Sequence, residues 1–182
     1  MAFMYSEEIL KEVREAVSGI RKEEAEALET EIEKAGRIFC DGLGRSGLCC
    51  KGFAMRLMHL GLTSYYVGET VTPSVRPGDL LLVCSGSGNS EALVSHARKA
   101  KANGARLAVV TGKRESTLGM LADVCIVIAS PGKDETDGET ILPMGSLFEG
   151  ASSLFFENMV LDLMQKLGET SGTMFERHAN LE

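Results

Sequence analysis

Three serine hydroxyls stand at positions 85, 87 and 90, in the stretch Ser85-Gly86-Ser87-Gly88-Asn89-Ser90 that follows the apolar run Leu80-Leu81-Leu82-Val83-Cys84. Hydroxyls and unencumbered backbone N–H groups at this spacing suit one kind of chemistry, the holding of a small anion. Gly86 and Gly88 let the backbone come close to a ligand. A helical pattern that begins at Ser90 sets the positive end of a helix dipole against the same place. A phosphate group is the expected occupant. A tight turn with a Ser cap is the plainer reading, and it leaves two of the three hydroxyls unexplained.

A second glycine-rich loop, Gly42-Leu43-Gly44-Arg45-Ser46-Gly47, also lies between a strand-like run and a helical pattern. The spacing G-x-G-x-x-G, with Glu69 about twenty residues further on, is the dinucleotide fingerprint. A dinucleotide's pyrophosphate needs one such loop and leaves the Ser-rich one without a purpose. A chain of 182 residues also has no room for a separate substrate domain. A monophosphate held by Ser46 on one side and by Ser85, Ser87 and Ser90 on the other uses both loops.

The elements that must position these loops follow from hydrophobic periodicity. Residues 6–34 read as one long N-terminal helix. Ile9, Val13, Val17 and Ile20 form a stripe that Ala25, Leu28 and Ile32 continue after a slip in phase. Short apolar strands are expected at 37–41, 63–67, 79–84, 106–111 and 124–129. Helices are expected at 46–60, 90–103, 116–122 and 146–167. Residues 68–78 and 130–143 carry turn chemistry, and the second is long enough to suspect of function. Strands alternating with helices at this spacing give an open, parallel, five-stranded sheet in a three-layer αβα arrangement. Ligands of such sheets sit outside the carboxyl ends of the strands, where both glycine-rich loops lie. The expected organisation is one domain: an N-terminal helix at 1–35, an α/β core at 36–168 and a C-terminal tail at 169–182.

Composition narrows the partners. A formal net charge of −7 argues against nucleic acid, which needs a basic footprint. Five cysteines include no C-x-x-C pair and sit mainly in apolar runs, as reduced, buried thiols of a cytoplasmic protein do. The Cys and His spacings form no metal-ligand set. Neither a secretory signal nor an apolar run of transmembrane length is expected. Taken alone, Glu149 near the start of the last helix reads as a partner of the helix dipole. His59 reads as structural, His96 as part of a solvated face, and Asp41 as a support for the first loop.

Several segments together carry a resemblance: Gly44-Arg45-Ser46-Gly47, Phe53-Ala54-Met55-Arg56-Leu57-Met58-His59-Leu60-Gly61, Val67-Gly68-Glu69-Thr70 and the Ser-rich loop. Pro143-Met144-Gly145-Ser146-Leu147-Phe148-Glu149 and the closing Arg177-His178-Ala179-Asn180-Leu181-Glu182 complete it. Over nearly its whole length the chain resembles the SIS (sugar isomerase) domain family, of flavodoxin-like architecture, and within it the 6-phospho-3-hexuloisomerases. Asn89 stands where Glu is common, and Cys49-Cys50 where small aliphatic residues are usual.

The resemblance implies a cofactor-free isomerase that interconverts arabino-3-hexulose 6-phosphate and fructose 6-phosphate through an enediol. It implies Glu149 as the catalytic base and His178 as a second catalytic group, acting in its own subunit or donated by a neighbouring one as in related sugar isomerases. Substrate contacts are expected from Gly44, Arg45, Ser46, Glu69, Thr70, Ser85, Gly86, Ser87, Gly88 and Ser90. A homo-oligomer, as a tetramer, and a functional link to a hexulose phosphate synthase follow from the same likeness. Two alternatives stay open: a non-catalytic sugar-phosphate sensor, for which an attached output module would be expected, and an isomerase of another sugar phosphate such as arabinose 5-phosphate.

Overall fold

Where apolar residues run without interruption, the chain is extended and buried on both faces. A computed structural model describes residues 3–133 and 140–181. It has strands β1 (Ile38–Gly42), β2 (Ser64–Tyr66), β3 (Leu80–Ser85), β4 (Arg106–Thr111) and β5 (Val124–Val127). Helices are α1 (Ser6–Ser18), α2 (Lys22–Lys34), α3 (Gly44–His59), α4 (Glu91–Ala102), α5 (Thr117–Leu121), α6 (Ser146–Lys166) and α7 (Ser171–Glu176). The strands form one parallel sheet in the order β2-β1-β3-β4-β5. The direction of winding reverses between β1 and β3. A crevice opens at the carboxyl end of the sheet at such a switch point.

Side-chain alternation divides the core into two layers. Leu80, Leu82 and Cys84 of β3 face one side, with α2, α3 and α6 packed over them. Leu81 and Val83 face the other, against Leu93, Val94 and Ala97 of α4 and Leu118 of α5. The Phe53 and Phe156 rings stack with centroids 4.5 Å apart and join α3 to α6 within the first layer.

The structure corrects the single N-terminal helix. The chain leaves helical geometry after Ser18, and Arg21 is extended (φ −72°, ψ 130°). The break absorbs the phase slip in the apolar stripe, so that Val13, Val17 and Ile20 on one side of it and Leu28 and Ile32 on the other all pack in the first layer. Near the C-terminus, residues expected as a tail include a capped helix. The Thr170 hydroxyl accepts from Thr173 N at 3.2 Å, and Thr170 N donates to Thr173 Oγ1 at 2.9 Å. Met174 of α7 is buried against the first layer. Of the 130–143 loop, residues 134–139 lie outside the described residues.

Candidate active site

A cavity of about 430 Å³ occupies the crevice at the carboxyl end of the sheet. The Ser-rich loop forms one wall, with Ser85, Gly86, Ser87 and Ser90 at its surface. The loop is held from within, since Gly88 N donates to Ser85 Oγ at 3.3 Å and Asn89 N to Ser87 Oγ at 3.4 Å. Gly88 itself faces away from the cavity. At φ +63° it packs so tightly that an added Cβ would lie 2.1 Å from Ser116 Oγ, so no other residue fits there. Ser90 occupies the N-cap of α4 without using its side chain as a cap, which leaves the hydroxyl for a ligand.

The first glycine loop forms the opposite wall through Leu43 and the buried Ser46. Here α3 starts almost in contact with the end of β1, and a Cβ on Gly47 would lie 2.5 Å from Gly42 O. The Tyr66 hydroxyl donates to that same carbonyl at 2.7 Å, and burial raises its pKa to about 12. Beneath the loop, buried Asp41 accepts from Gly42 N at 2.9 Å and lies 2.8 Å from Nδ1 of His96. Burial pushes the Asp41 carboxyl up, against the pull of His96 and the Gly42 N–H. Asp41 thus supports the loop as expected. His96, expected on a solvated face, instead pairs with it from α4.

The third wall is the first turn of α6. Phe148 and Glu149 line it, and Glu149 is 6% exposed. Met144 (φ +56°) and Gly145 (φ +80°) turn the chain sharply just before the helix. Arg45 braces this turn: Nη1 donates to Ser146 Oγ and Nη2 to Met144 O, both at 2.8 Å. Arg45 Nη2 also lies 2.7 Å from Glu149 Oε2. That approach is an ion pair without hydrogen-bond geometry. Both carboxylate oxygens are buried and neither has a hydrogen-bond partner. A carboxylate left so in the wall of a cavity that also presents serine hydroxyls is poised to meet a group that a ligand brings.

The expected site residues separate into two sets. Ser46, Ser85, Gly86, Ser87, Ser90 and Glu149 share the cavity. Gly44 and Arg45 stand at its edge on the α3 N-terminus, Arg45 turned toward Glu149. Glu69 lies elsewhere: it pairs with Lys51 at 2.8 Å and lines a separate shallow groove beside Tyr66 and Met55, and Thr70 next to it is exposed. His178 is farther still. It sits beyond α7, stacked on His59 with ring centroids 5.4 Å apart, at the end of α3 opposite the cavity. The length of α3 from Ser46 to His59 is about 20 Å at 1.5 Å per residue, so His178 cannot reach its own chain's Glu149. Sequence reasoning missed Lys113 and Lys133, which also line the cavity. A lysine in a loop carries no local signal of what it will face. Among the described residues no cluster of His, Cys, Asp and Glu could hold a metal ion, and no helix is long and apolar enough to cross a membrane.

Residues 31–142 match the family model of the SIS domain. This chain belongs to the SIS domain family. As a SIS domain it is 45% identical over 180 residues to a Bacillus subtilis (strain 168) protein named 3-hexulose-6-phosphate isomerase, which covers 98% of this chain and 97% of the relative. A Methylomonas aminofaciens protein of the same name is 35% identical over 178 residues, 98% of each chain. A crystal structure from Methanococcus jannaschii, whose inferred molecular function is 3-hexulose-6-phosphate isomerase, superposes with a TM-score of 0.79 at 36% identity. It covers 88% of this SIS domain and 87% of that chain.

Proposed function

We propose that this chain is a 6-phospho-3-hexuloisomerase, which interconverts arabino-3-hexulose 6-phosphate and fructose 6-phosphate. The observation that carries the reading is Glu149: a buried carboxylate with both oxygens lacking hydrogen-bond partners, in one cavity with a hydroxyl-rich anion loop. The isomerisation moves a carbonyl from C3 to C2. A base must take the proton from C2, leave an enediol across C2 and C3, and return a proton to C3. Glu149 serves as that base. Ser85, Ser87, Ser90 and the N–H groups at the start of α4 hold the phosphate, which fixes the sugar chain along the cavity toward α6. Arg45 keeps the Met144–Ser146 turn, and with it Glu149, in place.

The protons on the two oxygens need a further group. His178 serves in that role from a second copy of the chain, because its own chain holds it at the far end of α3. The enzyme is therefore a homo-oligomer, a tetramer in our reading, with sites completed between subunits. It acts in the cytoplasm without a cofactor, on a substrate that a hexulose phosphate synthase supplies.

The test is a coupled assay of fructose 6-phosphate formation from arabino-3-hexulose 6-phosphate with wild type and Glu149→Gln. The expected result is turnover by wild type and its loss in the variant, with sugar-phosphate binding retained. Binding without turnover in wild type would overturn the reading in favour of a sensor or of another sugar phosphate.

A further inference from the structure

The substrate proposed above carries close to two negative charges on its phosphate. Ser46, Ser85, Ser87 and Ser90 are neutral, and the chain around them is net negative at −7. The structure supplies the missing positive charge from two loops that the serines do not predict. Lys113 follows β4, and Lys133 follows β5; both residues line the cavity.

Each is fixed to a different wall. The turn that carries Lys113 is bound to the Ser-rich loop. Gly112 N donates to Gly86 O at 3.0 Å, and Thr111 Oγ1 donates to the same carbonyl at 3.4 Å. Ser116 Oγ closes the turn by donating to Lys113 O at 2.6 Å. Leu118 N then donates to Gly88 O at 2.9 Å and Thr117 N to Asn89 Oδ1 at 2.9 Å. The backbone of Lys113 therefore moves with the anion loop as one body. Lys133 packs its stem on the other wall: its Cγ lies 3.3 Å from the position of a Cβ on Gly145, the residue that starts α6. A side chain at 145 would push that stem away.

We propose that Lys113 and Lys133 are binding residues that clasp the phosphate of the substrate from two sides and select a dianionic phosphate ester. This rests on the reading of the cavity as the sugar-phosphate site. The geometry favours binding over proton transfer. Two ammonium groups on separate loops neutralise a dianion together, whereas Glu149, whose oxygens accept no hydrogen bond, already supplies a base. Ammonium-to-phosphate contacts are charge-assisted and act as point charges, so they tolerate the small differences in pose that the reaction requires. Both lysines face an open cavity, and salt screens them in part.

The experiment uses the full chain and two readouts. Binding of inorganic phosphate is measured by calorimetry for wild type, Lys113→Gln, Lys133→Gln and the double variant, with circular dichroism to confirm the fold. Steady-state kinetics on arabino-3-hexulose 6-phosphate are measured in parallel at low and high salt. Each single variant is expected to weaken phosphate binding and raise KM by about tenfold, with kcat within about twofold. The double variant is expected to lose most of the salt dependence of KM. Lys→Arg variants at both positions restore binding if charge is the requirement. Unchanged phosphate binding in the double variant would overturn the proposal, as would a loss confined to kcat. A wild type whose phosphate binding depends on both lysines, but which does not turn over this sugar, would leave the clasp standing and overturn the isomerase.

Discussion

The two ends of the sheet hold their polar groups in opposite ways. At the amino end of the strands Asp79, Asp123 and Glu169 are each met by several donors. Asp79 accepts from Arg37 Nε at 2.9 Å, Arg37 Nη2 at 2.6 Å and Arg76 N at 2.7 Å. Asp123 accepts from Lys101 and Leu107 N and pairs with Arg106. Arg177 donates to His59 O and to both oxygens of Glu169, which closes α7 onto the end of α3. At the carboxyl end the Glu149 oxygens have no hydrogen-bond partner, Met144 is held in a left-handed conformation, and hydroxyls face a cavity. Satisfied groups hold the molecule together. The unsatisfied Glu149 oxygens, costly in a buried wall, lie where a ligand in the cavity could meet them.

Removing a charge at either end distinguishes the two roles. Glu149→Gln is expected to lower kcat by about 10³-fold, within the range for loss of a general base. Thermal unfolding should show little loss of stability, because the substitution deletes one ion pair to the half-exposed Arg45 and no hydrogen bond. Asp79→Ala should do the reverse. Chemical denaturation is expected to show a clear loss of stability, since the buried Asp79 carboxylate is removed and its three donors are left behind, while kcat stays within about twofold. A large fall in stability from the first variant, or in kcat from the second, would erase the contrast.

A smaller effect comes from His59, buried at the satisfied end. Burial lowers its pKa from the ordinary 6.5, and the neighbouring His178 and Arg56 lower it further. The unfolded chain therefore takes up a proton before the folded one does. This stability is full above about pH 6.5 and is lost as pH falls toward the lowered folded value. Melting temperatures from pH 7.5 to 5.5 should fall less steeply for His59→Gln than for wild type. Equal slopes would mean that the histidine is protonated where it sits.

Much of this was legible in the sequence because it is written locally. β1, β3 and β4 are apolar runs buried on both faces, which no other element type explains as well at that length. The Ser-rich loop announces itself by composition. The break between α1 and α2 was present as a phase slip, but a slip alone does not say whether the helix bends, ends or rotates. The capping box at Thr170 and Thr173 was the available signal for α7, and it is weaker than an apolar stripe. The wall opposite the serines was harder to read. Arg45 and Glu149 lie about a hundred positions apart, and Lys113 and Lys133 join them only because four strand ends converge. Distance in sequence, not weakness of interaction, hides such contacts.

The first helix is seated lightly, since none of its residues is fully buried. Yet Glu12 accepts hydrogen bonds from Thr140 and from Ile141 N, the latter at 3.0 Å, and Val13 rests 3.3 Å from the position of a Cβ on Gly150. The segment that leads into α6, and the residue beside the carboxylate, thus lean on a lightly seated helix. On heating, detachment of α1 would slacken that segment while the sheet stayed paired. The temperature of inactivation would then fall below the temperature of melting, and the gap between the two would measure how firmly one marginal helix keeps the Met144–Ser146 turn in register.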